Sequence, residues 1–189
     1  MKKTVLLIIT VSLIFCNANS QITKGNWMVG GSGSFSTNNV SATQSQTTNI
    51  EIRPGIGYFI ANKLAVGLKL SYISEDLSKF VQMTGSPGLT IHSLLIGPFA
   101  RYYFLEPEKT VNFFAEANYS YGSYKSTGYY TISDGRSNDL SFALGSAIYF
   151  NSSVAIEFSL GYYSTHDITY GYNNNGLQMG IGFQIHLEK

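Results

Sequence analysis

The sequence predicts an all-β fold, an eight-stranded antiparallel transmembrane β-barrel with short periplasmic turns and long extracellular loops. Three observations carry that prediction. Eight segments alternate apolar and polar residues with a period of two, the links between them alternate between long and short, and the apolar face carries aromatic residues at both ends.

Before the first segment stands a leader. Lys2 and Lys3 open it, Val5 to Phe15 is apolar apart from Thr10 and Ser12, and Ala18-Asn19-Ser20 supplies the small residues that a signal peptidase reads. Its apolar run falls short of the about 20 residues a helix needs to cross a hydrocarbon core, so it is expected to be removed rather than kept as an anchor. The expected domains are a cleaved signal peptide, 1–20, and an outer-membrane barrel, 21–189. Cys16, the only cysteine, lies in the leader. The bulky Phe15 before it argues against lipidation, and the mature chain is expected to carry neither disulfide nor thiolate metal site.

The strands follow in order. The first sets Trp27, Val29, Gly31, Gly33 and Phe35 against Met28, Gly30, Ser32 and Ser34, and the second sets Ile50, Ile52, Pro54, Ile56 and Tyr58 against Glu51, Arg53, Gly55, Gly57 and Phe59. In the third, Leu64, Val66, Leu68, Leu70 and Tyr72 oppose Ala65, Gly67, Lys69 and Ser71. In the fourth, Leu94, Ile96, Pro98, Ala100 and Tyr102 oppose Ser93, Gly97, Phe99, Arg101 and Tyr103. The fifth pattern is Phe113, Ala115, Ala117, Tyr119 and Tyr121 against Asn112, Phe114, Glu116, Asn118 and Ser120. The sixth is Phe142, Leu144, Ile148 and Phe150 against Ser141, Ala143, Gly145 and Tyr149, with Ser146 a mild exception. Val154, Ile156, Phe158, Leu160 and Tyr162 make the apolar face of the seventh, and Leu177, Met179, Ile181, Phe183 and Ile185 that of the eighth.

The links Ala61 to Lys63, Leu105 to Thr110 and Asn151 to Ser153 are brief. Thr37 to Thr48, Glu75 to Leu89, Lys125 to Asp139 and Ser164 to Asn175 are long, polar and rich in Ser, Thr, Asn, Gly and Tyr. A soluble sandwich or lipocalin-like barrel would also alternate, with its apolar face inside. Aromatic placement favours the membrane. With odd strands running outward, Trp27, Tyr58, Tyr102, Phe104 and Phe150 gather at one rim and Tyr72, Tyr119, Tyr121 and Tyr162 at the other, as two girdles.

The stretches Arg53-Pro54-Gly55-Ile56-Gly57-Tyr58-Phe59 and Gly97-Pro98-Phe99-Ala100-Arg101-Tyr102-Tyr103-Phe104 resemble the OmpA-like and OmpX-like outer-membrane barrel family, over Gly25 to Leu187. The last strand, Gln178 to Ile185, resembles the C-terminal signal read by the barrel assembly machinery, although it ends His186-Leu187-Glu188-Lys189 instead of on an aromatic residue. The resemblance implies the architecture and a bacterial outer-membrane location. It implies no single activity, because such a fold hosts structural proteins, adhesins and resistance factors. No peptidoglycan-binding domain is expected after strand eight.

Net charge is +1, and loss of the two leader lysines lowers it by two, to −1, so nucleic acid is not an expected partner. Charged residues are only 12% of the chain, against about 25% in an average soluble protein. Those on the polar face, Glu51, Arg53, Lys69, Arg101, Glu116 and Glu157, are three of each sign and are expected to neutralise one another in the lumen, with Phe59, Phe99, Tyr103, Phe114 and Tyr149 filling the rest. An ion path or gate is the competing reading of that network.

His92, His166 and His186 lack metal-ligand spacing, and no cofactor or metal is expected. Ser164 and His166 share a strand face, with Asp167 adjacent, and make a lipid A-modifying enzyme the second functional class, although catalysis is not expected. The loops carry the better clue. Tyr129-Tyr130-Thr131-Ile132 and Ile168-Thr169-Tyr170-Gly171-Tyr172 are β-like, so the strands are expected to project outward before turning at Asp134-Gly135 and Asn173-Asn174-Asn175-Gly176. Tyr129, Tyr130, Asp134, Arg136, His166, Tyr170 and Tyr172 form the candidate surface, of a composition suited to adaptable binding. Expected partners are outer-membrane lipids, the assembly machinery and an extracellular protein or cell surface.

Overall fold

The computed structural model describes residues 22–40, 45–76, 89–128 and 132–188. The expected leader and its cleavage point lie outside them, as do Tyr129 and Tyr130.

Among the described residues the strands are β1 (Trp27–Val40), β2 (Ser45–Ala61), β3 (Leu64–Asp76), β4 (Thr90–Tyr103), β5 (Val111–Thr127), β6 (Ile132–Tyr149), β7 (Val154–Asp167) and β8 (Asn173–Leu187). Each pairs antiparallel with the next, and β8 closes onto β1. Register is set by matching apolar positions: Ile56↔Leu68, Leu68↔Pro98, Ala100↔Ala117, Ala117↔Phe142 and Phe142↔Tyr162 lie opposite one another, which brings every apolar face to one side of the wall. That side is the outside. Ile52, Ile96, Phe142 and Leu160 are exposed, whereas Phe59, Ala65, Tyr103 and Phe114 are buried in the lumen. A soluble sandwich would have the reverse arrangement. Trp27 packs on Tyr58 and Tyr102 on Phe104 at one end of this apolar belt, and Tyr72, Tyr119, Tyr121 and Tyr162 mark the other.

The short-turn end is pinned by side chains and by the first described residues. Asn151 Oδ1 accepts from the amides of Ser153 and Val154, both at 2.8 Å, and Asn112 bridges the amide and carbonyl of Leu105. The Lys63 amide donates to the Ile22 carbonyl, the Gly25 amide to the Phe59 carbonyl and the Phe59 amide to the Asn26 carbonyl, and Ile22 is fully buried under the barrel.

At the opposite end the strands outrun the sequence expectation. Thr37 to Thr48 is not a free loop, since Thr37 pairs with Thr48 and Val40 with Ser45. Asp134-Gly135 is not a turn either. Asp134 pairs with Lys125 and Gly135 with Tyr124, and the chain reverses between Thr127 and Ile132. Likewise Asn173 pairs with His166 and Gly176 with Tyr163, and the reversal falls at residues 168–172. Both glycines have the same physical reason. A Cβ on Gly135 would lie 2.2 Å from the Tyr124 ring, and one on Gly176 would lie 2.9 Å from the Tyr163 hydroxyl. Each is a strand position covered by a cross-strand tyrosine, where glycine is read too easily as a turn signal.

Candidate functional site

The lumen is filled in layers, beginning at the short-turn end. Phe59, Tyr103, Phe114, Tyr149, Met28 and Ile22 meet there around His186. The imidazole stands 5.5 Å from the Phe59 ring, 6.0 Å from Tyr103 and 5.5 Å from Tyr149, whose hydroxyl is 3.4 Å from Nε2. By sequence spacing alone His186 stands isolated from the other histidines. Its parity with Gln184, also buried, was the signal that it faces inward.

Above this aromatic layer lies a four-membered charge cluster. Lys69 pairs with Glu116, Glu116 with Arg101 at 2.7 Å, and Arg101 with Glu157 at 2.5 Å. Arg101 also lies 4.1 Å over the Phe114 ring and donates to the Tyr103 hydroxyl, which ties this layer to the one below. Buried charges are costly unless paired and hydrogen-bonded, and each of these has a partner. The remaining two of the six sequence candidates stand apart: Arg53 Nε donates to Glu51 at 2.5 Å, and Glu51 also accepts from Ser34 and Gln178. Two chambers flank the charge cluster, about 50 Å³ on the side of Ser34, Glu51, Arg53 and Gln178, and about 20 Å³ on the side of Met28, Phe99 and Gln184. Such spaces hold a few waters.

The Ser164, His166 and Asp167 set is not brought together. Ser164 and His166 share the outer face of β7, where His166 Nδ1 lies 2.7 Å from Asn173 Oδ1. Asp167 is buried on the opposite face and serves the hairpin turn. Its Oδ1 accepts from the amides of Thr169 and Tyr170, and its Oδ2 accepts from the Tyr124 hydroxyl at 2.6 Å. Burial alone would raise this carboxyl; the hydrogen bonds from Tyr124, Tyr170, Tyr172 and Thr169 outweigh it and hold it below its ordinary value. Asp167 lies beyond Tyr162, outside the apolar belt.

The same contacts lock two hairpins together. The Arg136 amide donates to Thr169 Oγ1, the Ile168 amide donates to the Arg136 carbonyl, and Ser133 Oγ meets the Tyr170 hydroxyl at 2.5 Å. Tyr170 and Tyr172 stack with centroids 6.5 Å apart and remain exposed, as do Asp134, Arg136 and His166.

The family model described as outer membrane protein beta-barrel domain matches residues 6–184. Comparison with curated proteins finds no match. Among solved structures, Neisserial surface protein A is similar at 17% identity and a TM-score of 0.61, over 84% of this chain and 96% of that one. The N-terminal β-barrel domain of Pseudomonas aeruginosa OprF is similar at 13% identity and a TM-score of 0.51, over 87% of this chain and 98% of that one. At these identities the likeness concerns the fold.

Proposed function

We propose, for a chain that belongs to the outer membrane protein beta-barrel domain family, a surface-interaction role carried by the β5–β6 and β7–β8 hairpins. The protein is a β-stranded resident of the bacterial outer membrane. Its apolar belt meets lipid and its short turns offer little surface, so the projecting hairpins are the part available to a partner. One observation carries the reading: the hairpins are bound to each other through Asp167, Arg136 and Thr169 while Tyr170 and Tyr172 stay exposed. A braced pair of tyrosines loses little entropy on binding, which is the economy of an adaptable recognition surface.

The partner class is a protein or glycan surface of a neighbouring cell or host. Catalysis and open conduction have no part in this reading, the first because the Ser164–His166 face lacks Asp167, the second because an aromatic layer closes the lumen. The test uses bacteria expressing the protein and measures adherence to immobilised host cells and resistance to serum. A Tyr170→Ser/Tyr172→Ser chain should stay heat-modifiable and lose the phenotype. Retention of the phenotype in that variant, with loss on neutralising Arg101 or Glu116, would move function to the lumen.

A further inference from the structure

Across β4 to β7 the lipid-facing side of the wall carries a furrow of about 530 Å³. It follows the direction of the ladder hydrogen bonds. Ala117, Phe142 and Tyr162 lie in register along one bank, and Ala115, Leu144 and Leu160 along the other. The floor is main chain, because Arg101 and Glu116, in register between the two banks, turn their charged ends into the lumen. One end of the furrow lies at Tyr102, in the girdle of the short-turn side, and the other at Tyr162, in the opposite girdle. Sunk in the belt from girdle to girdle, it meets hydrocarbon along its whole length.

The two ends differ in charge. Beside the short-turn end Lys63 is engaged by Glu106 at 2.5 Å. Beyond Tyr162 and Tyr121 the same outer face continues with Asn138 opposite His166, then Arg136 opposite Ser123, then Lys125 opposite His92. His92 Nδ1 lies 3.1 Å from the hydroxyl of Tyr72 in the outer girdle, which sets this patch just above the belt, at headgroup level. His92, Lys125, Arg136 and His166 are exposed. Among the described residues neither the Lys125 ammonium nor the Arg136 guanidinium has an ion pair, and Asp134, opposite Lys125, is the single carboxylate on this face of β4–β7 above the girdle. Two cations against one carboxylate, with imidazole and amide donors beside them, suit a phosphate.

We infer that this face seats one lipid of the outer leaflet, with its phosphate head between Lys125, Arg136 and His166 and one acyl chain in the furrow. Anionic patch-filler and apolar groove-filler are then one molecule, an amphiphile that the surrounding leaflet supplies. His166 Nδ1 is taken by Asn173 Oδ1 at 2.7 Å, which fixes the ring and leaves Nε2 for the head. A second copy of the barrel would fill the furrow and leave the cations unmatched. The furrow volume lies within the range of ordinary ligand sites, about 300–1,000 Å³. The seat rests on the outer-membrane location and is independent of the Tyr170–Tyr172 surface.

The experiment uses the protein in nanodiscs of zwitterionic phosphatidylcholine, with dodecyl phosphate as probe, dodecyltrimethylammonium and inorganic phosphate as controls, and amide NMR as readout. Dodecyl phosphate should give saturable shifts at Ala115, Ala117, Ser123 and Asn138, and neither control should. Lys125→Gln/Arg136→Gln should weaken binding about tenfold; the hairpin contacts of Arg136 are made by its main chain, so the fold is kept. Ala115→Leu/Ala117→Leu fills the furrow from the lipid side and should weaken binding by a similar factor. Heat-modifiability on a gel verifies that each variant is folded. Equal saturation by dodecyltrimethylammonium would reduce the furrow to bulk lipid contact, saturation by inorganic phosphate alone would take the chain out of the seat, and full affinity in either variant would separate head from furrow; each overturns the inference. So would a second barrel per disc that shields Ala115 and Ala117, since it would give the furrow to another copy.

Discussion

Arg101 on β4 reaches Glu157 on β7 across the lumen, Nη1 to Oε1 at 2.5 Å, with β5 and β6 forming the wall between their strands. The same guanidinium holds Glu116 on β5 at 2.7 Å, so one side chain ties three strands. Arg101→Gln leaves two carboxylates in a buried layer, and the expected cost is about 3–5 kcal/mol. Glu157→Gln keeps the shape and leaves Arg101 paired with Glu116, and should cost about 1–3 kcal/mol. Urea unfolding of the protein refolded in lipid vesicles measures both. The reverse ranking would mean that Arg101 is not the centre of the cluster.

Adjacent residues on β3 should respond in opposite ways to charge. Leu68 is 53% exposed on the belt, whereas Lys69 is 9% exposed in the lumen. Leu68 pairs with Ile56 and Pro98, mid-belt between the two girdles. Leu68→Arg therefore places a cation near the bilayer midplane, at about 2–4 kcal/mol. Lys69→Gln leaves Glu116 still paired with Arg101 and should cost less. Refolding yields in vesicles that fail to separate the two variants would contradict the assignment of faces.

Most of the wall was legible in the sequence because a period of two and an impermeable belt allow few solutions. Trp27 to Phe35 and Leu177 to Ile185 needed only their parity. The hairpin ends were less legible for a local reason: Gly135 and Gly176 look like turn residues, yet each lies beneath a tyrosine from the paired strand, a relationship set by register and not by neighbours in sequence. The six lumen charges could be placed on one face, but their division into a four-membered and a two-membered group depends on heights that parity does not encode. The end of the β1–β8 ladder at Gly33↔Ile181 had no sequence signal, since Ser34 and Met179 continue both strand patterns unbroken.

The paired hairpins should loosen in acid through Asp167. Its carboxyl is held below the ordinary value of 3.8 in the folded chain. A depressed carboxyl contributes stability that is present above the unfolded value and is lost as pH falls through the folded one. Protection of the Thr169 and Tyr170 amides, both bonded to Asp167 Oδ1, should thus be steady at neutral pH and decline below the ordinary carboxylate range. Hydrogen exchange, corrected for intrinsic rates, follows it. Asp167→Asn should abolish that decline and reduce protection at pH 7; an unchanged profile in the variant would show that the turn holds without the carboxylate.

A last prediction concerns backbone approach in β4. The ladder between β4 and β5 is interrupted between Ile96↔Tyr121 and Phe99↔Asn118, where Pro98 has no amide hydrogen to donate. Beside it the wall is tight: a Cβ on Gly97 would stand 1.8 Å from the Tyr119 carbonyl oxygen, a contact that only movement of backbone could relieve. Gly33 provides the contrast, since the nearest atom to its Cβ would be the Glu51 carbonyl oxygen at 3.7 Å. Both are inserted in strands, and both would gain the same methyl group. Gly97→Ala should therefore destabilise the barrel by about 1–3 kcal/mol through overpacking, while Gly33→Ala should be tolerated. The temperature at which the folded band converts to the unfolded one on a gel reads the difference, and a Gly97→Ala barrel as resistant as the Gly33→Ala barrel would show that β4 and β5 can separate there without cost.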